Sequence, residues 1–111
     1  MTYGRASELF CVSLARLTPS LDAELWLKRS NGWERVGASS EAQNRFESEV
    51  ASLSSETLMR REGGRATVAV ISRTGKIVGA LAVDAGNSPL SDENLKCIAQ
   101  LSAGFLESQA A

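Results

Sequence analysis

The stretch Gly75–Leu106 reads G-K-I-V-G-A-L-A-V-D (75–84), A-G-N-S-P-L-S-D-E-N (85–94) and L-K-C-I-A-Q-L-S-A-G-F-L (95–106). Its first part is a strand signal with no polar face. Strict alternation sends Ile77, Gly79, Leu81 and Val83 one way and Val78, Ala80 and Ala82 the other. A strand that is apolar on both sides belongs at the centre of a sheet covered by two layers. Ala80 and Ala82 allow their covering layer to come close, and Gly79 marks either a bulge or a point of tight packing. After a polar hinge, Ser91 offers an N-cap, and Asp92 and Glu93 favour the positive end of a helix. The helix expected from about Asp92 to Ser108 carries Leu95, Ile98, Ala99, Ser102 and Leu106 on one stripe, with Leu101 and Phe105 extending it sideways.

Upstream, Ala6, Leu9, Phe10, Leu14 and Leu17 recur with helical spacing, which predicts a helix over 5–17, ended by Pro19. Residues 22–29 alternate, with Ala23, Leu25 and Leu27 opposite Glu24, Trp26 and Lys28. Ser30-Asn31-Gly32 then turns the chain into a second strand over 33–39. Residues 41–61 are rich in Ser and Glu. Phe46, Val50 and Leu53 share a helical face there, and one or two short helices are expected. Gly63-Gly64 breaks the chain before a third strand at 66–72, and the fourth follows at 76–84.

Composition bounds the function. The chain has 111 residues, which implies a single domain spanning 1–111. Its net charge of -1, from 12 basic and 13 acidic residues, gives no electrostatic reason for a nucleic-acid or anionic-membrane partner. No run approaches the length of a membrane span and no signal peptide is evident, so the expected location is the cytoplasm. Histidine is absent, and the two cysteines, Cys11 and Cys97, are expected as buried free thiols within the first and last helices. Without His, a Cys-rich set or a phosphate-loop motif, neither a catalytic centre, a metal nor a cofactor is expected. Asp84, at the end of the two-sided strand, either caps backbone donors or lines a pocket mouth. Asp22, Glu24 and Trp26 form either a ligand wall or a solvated strand face with one packed Trp, and Trp33 covers the hairpin end or binds.

On these residues the chain resembles the GAF domain family. The strand at 75–84 ending in Asp, the P-L-S-D-E-N entry (89–94) to the last helix, and the hairpin with L-W-L-K and W-E-R-V-G-A-S carry the resemblance. It implies an α+β fold with a GAF- or profilin-like central antiparallel sheet of five or six strands. The terminal helices would pack on one face and a ligand pocket would lie on the other. It also implies parallel dimers through the first and last helices. The segment between the second strand and Ala66, where family members usually place the lid and ligand residues, is short here. The cyclic-nucleotide signature, the bilin-attaching Cys, the haem-binding His and the cysteines of the methionine sulfoxide reductases of this fold have no match. Roadblock-type domains, small dimeric regulators of small GTPases, share the order of elements and fit the length better, but they fit the P-L-S-D-E entry worse.

The reading is therefore of a non-catalytic regulatory domain for dimerisation and protein interaction in signalling. Leu9, Phe10, Leu14, Leu101 and Phe105 are the expected homodimer or partner contact. The alternative is a small-molecule sensor whose pocket is lined by Trp26, Phe46, Val50, Leu81 and Asp84. The first is preferred because the lid is short and both terminal helices are apolar around much of their circumference.

Overall fold

The structure, a computed structural model, describes residues 4–15, 22–39, 46–86 and 91–110. The elements run α1 (Gly4–Ala15), β1 (Asp22–Arg29), β2 (Gly32–Ala38), α2 (Glu47–Ala51), β3 (Met59–Glu62), β4 (Arg65–Ile71), β5 (Ile77–Asp84) and α3 (Asp92–Ala110). Five strands form one antiparallel sheet in the order β2-β1-β5-β4-β3, an α+β fold with the two-sided strand at its centre. Pro19 and the end of the helix expected over 5–17 lie outside the described residues. None of the described helices is long and apolar enough to cross a membrane.

The two faces of the sheet are covered differently. On one, Leu25, Leu27, Val68, Val70, Leu81 and Val83 join Cys11 of α1 and Leu95, Ile98, Ala99, Ala103 and Leu106 of α3 in a continuous apolar core. The α3 stripe read from spacing is the buried one, including Ser102, whose hydroxyl donates to the Ile98 carbonyl at 2.9 Å and so enters the core with its polar group satisfied. Ser91 caps α3 by accepting from the Asn94 amide at 3.2 Å. On the other face Trp26, Phe46, Val50 and Leu53 pack on Ala69, Ala80 and Ala82. In register, Trp26 lies beside Ala80, and Ala80 beside Ala69, so the bulky indole is accommodated by small neighbours on the next two strands.

Alternation along β5 fails at its start. Val70 pairs with Gly79 but Ile71 pairs with Ile77, which leaves Val78 as an extra residue. This bulge reverses the expected sides: Ile77 packs with the α2 cluster and Val78 with the α1/α3 core. Gly79, next to the bulge, is also a point of tight packing. A Cβ there would meet the Trp26 carbonyl oxygen and come within 2.7 Å of Leu106 Cδ1. A second bulge leaves Val36 unpaired between Gly37, opposite Leu25, and Arg35, opposite Trp26.

The middle of the chain departs most from expectation. The helix is a single turn, Glu47–Ala51, after which the Ser52 hydroxyl donates to the Glu49 carbonyl at 2.6 Å. Residues 59–62, at the end of the segment expected to hold one or two short helices and running into the expected break around Gly63-Gly64, are instead the edge strand β3, and Gly63-Gly64 is the tight turn joining it to β4. Met59-Arg60-Arg61-Glu62 has no apolar alternation because an edge strand with little to bury needs none. Its charges also discourage pairing with another chain. Cys11 is buried as expected; Cys97 is exposed, because it lies off the buried stripe of α3.

Candidate functional site

The residues expected at a dimer or partner contact divide into two kinds. Phe10 and Phe105 stack on each other, with ring centroids 4.6 Å apart and planes 16° from parallel. They are half-buried and pack against the main core, so each already has a partner within the chain. The stack is a side-chain bridge between α1 and α3. Leu9 and Leu101 are 56% and 60% exposed. Leu101 sits one turn before Phe105 on the same side of α3, and Leu9 precedes Phe10 on α1. Each of the two helices thus carries an exposed leucine close in sequence to its half of the stack. The Leu14 side chain lies outside the described residues.

The residues expected to line a pocket divide as well. Trp26, Phe46 and Val50 come together on the α2 face, but as close-packed core, with Phe46 only 1% exposed. Leu81 is not with them. It points to the α1/α3 side of the sheet and is fully buried there, because odd positions of β5 beyond the bulge face the terminal helices. Asp84 keeps the parity of Ala80 and Ala82 and lies at the rim of the α2 face. One of its oxygens accepts from the Gly86 amide at 3.0 Å, the Asx-type cap that turns the chain out of β5. The other lies 3.9 Å from Arg65 Nη1.

Arg65 organises that rim. Its Nη2 donates to both oxygens of Glu49 at 3.2 Å, and its guanidinium lies 4.3 Å from the centroid of the Phe46 ring. One side chain thus ties β4 to α2 and to the end of β5 and covers the aromatic core beneath. Neighbouring Glu24, expected on a strand face that was either a ligand wall or solvated, is only 3% exposed. Trp26 Nε1 donates to its Oε1 at 3.1 Å, and Arg35 Nη1 lies 3.7 Å from its Oε2. A buried carboxylate is tolerated when it is hydrogen-bonded and paired in this way. The Trp–Glu hydrogen bond joins residues two apart on β1, a spacing visible in the sequence, but the burial of Glu24 is not. Trp33 closes the hairpin end, partly buried against the α2-face cluster with the Lys28 ammonium 5.0 Å from its ring centroid.

Among the described residues no group of three or more His, Cys, Asp or Glu side chains is arranged to hold a metal ion. The polar groups on the α2 face serve one another: Arg65 with Glu49 and Asp84, Glu24 with Trp26 and Arg35. Leu9 and Leu101, by contrast, are open to contact from outside. Compared with known proteins, the chain matches no family model and no curated protein.

Proposed function

We propose that this domain is a non-catalytic interaction module that associates with a second copy of itself through the outer surface of α1 and α3. The observation that carries the proposal is the exposure of Leu9 and Leu101 on the two helices whose Phe10 and Phe105 stack on each other. The resemblance to GAF domains, which dimerise through their first and last helices, supports the same surface. So does the low net charge of -1, which sets little repulsion against self-association. Burying an exposed leucine in an interface contributes about 1.5–3 kcal/mol, which is roughly ten- to a hundredfold in affinity. The function served would be regulatory, in signalling.

The test is sedimentation of the wild type and of Leu101→Glu at tens of micromolar. A dimer that becomes a monomer on substitution is the expected result; a wild-type monomer, or a Leu101→Glu dimer, refutes the proposal. Leu101 is the informative position because its side chain has little to lose inside the monomer. Phe105→Glu would break the intramolecular stack at the same time and confuse unfolding with dissociation.

A further inference from the structure

A second open feature lies on the far side of α3, toward the edge of the sheet. β3 pairs only with Arg65–Val68, so β4 runs on past it to Ile71. The space beyond the end of β3 is a concave pocket of about 430 Å³ between that strand end and α3. Leu58, Met59, Ile71 and Ala99 supply apolar walls, and Leu58 and Ile71 remain 44% and 36% exposed. Lys96 and Gln100, one turn apart on α3, line the same pocket. Lys96 makes no ion pair among the described residues, whereas Arg29, Arg35, Arg61, Arg65 and Arg73 each have an acidic neighbour.

We infer that this pocket binds a small amphipathic anion, a carboxylate on an unbranched apolar body. Lys96 would pair with the head, Gln100 would donate to it, and Leu58, Met59 and Ile71 would cover the chain. The volume falls within the range of small-ligand pockets, roughly 300–1,000 Å³. A concavity this small does not offer the ~1,000 Å² that a stable protein interface needs. Among the described residues Lys96 is the only charged group in the lining, so the site selects for one negative charge. The inference is independent of the dimer surface, because Leu9 and Leu101 are not among the lining residues.

The experiment is a titration of the full chain with decanoate below its micelle-forming concentration, followed by NMR of the methyl groups. Saturable shifts at Leu58, Ile71 and Ala99 are expected. Lys96→Gln, at an exposed position that leaves the fold intact, should weaken binding about tenfold, the worth of a charge-assisted contact. Lys76→Gln should leave it unchanged, and decan-1-ol should bind the wild type about as weakly as decanoate binds Lys96→Gln. Absence of saturable binding, shifts centred on Leu9 and Leu101 instead, or equal decanoate affinity in wild type and Lys96→Gln would each overturn the inference.

Discussion

The two faces of this sheet solve the same burial problem with different means. One is covered by two helices of 12 and 19 residues, and its core is almost wholly aliphatic. The other is covered in part by a five-residue helix, and there the sheet itself changes to suit: alanines at 69, 80 and 82, a buried threonine at 67, a buried glutamate at 24 and an arginine lying over a phenylalanine. A long amphipathic helix brings many apolar side chains and needs only a matching apolar surface. A single helical turn brings few, so the face depends on individual large residues seated over small ones and on polar groups that satisfy one another.

That contrast makes graded predictions. The largest effect should come from Phe46→Ala, which removes the aromatic side chain at the entry to α2 and with it the ring beneath Arg65. A loss of about 3–5 kcal/mol in urea denaturation is expected. Leu81→Ala on the opposite face should cost about 2–5 kcal/mol, toward the lower part of that range because two helices can settle into the space. If Leu81→Ala proves much the more damaging, the α2 face is not the one that hangs on single residues. A smaller effect, about 1–3 kcal/mol, is expected for Trp26→Phe, which keeps an aromatic ring but gives up part of the indole's volume and withdraws its donor from buried Glu24. Adding Glu24→Gln should recover part of the loss, since a neutral amide tolerates the missing donor better than a carboxylate. Smallest should be Arg61→Ala. The Arg61–Asp92 pair, at 2.6 Å, joins β3 to the start of α3 across a largely exposed surface, and its removal should shift stability by less than about 1 kcal/mol.

How much of this was legible in the sequence follows the same division. Where burial is extensive, periodicity is strong: the β1–β2 hairpin, the two-sided β5 and the buried stripe of α3 can all be read from spacing. Phe46, Val50 and Leu53 were also legible as one face, though the helix is a single turn that holds only Val50, with Phe46 just before it and Leu53 just after. β3 was not legible, because Met59–Glu62 becomes a strand through its pairing with β4 rather than through any pattern of its own. Nor was the bulge at Val78. Gly79 signals some irregularity, but only the pairing with Ile71 shows that Ile77 and Val78 exchange sides. At the candidate sites, composition identified apolar residues on the terminal helices but could not tell Phe10 and Phe105, which satisfy each other, from Leu9 and Leu101, which do not. Leu81 lies apart from Trp26, Phe46 and Val50 because membership in a cluster depends on which face a strand turns to each helix. The pocket near Lys96 had no sequence signature, since it arises from the early end of β3.

The placement of β5 between β1 and β4 has a consequence for how this chain is made. β1 leaves the ribosome before the other four described strands, yet its inner neighbour, reached through pairs from Asp22–Asp84 to Leu27–Gly79, is the last of the five to emerge. Until then the hairpin of β1 and β2 has an open hydrogen-bonding edge, with Leu25 and Leu27 lacking most of their core. The central strand acts as a keystone set last: earlier elements can form locally, but they lock together only when it arrives. Such dependence on distant pairings slows folding and lengthens the exposure of an aggregation-prone edge. A nascent chain stopped before Ile77 would therefore hold most of the strands and none of the sheet's centre.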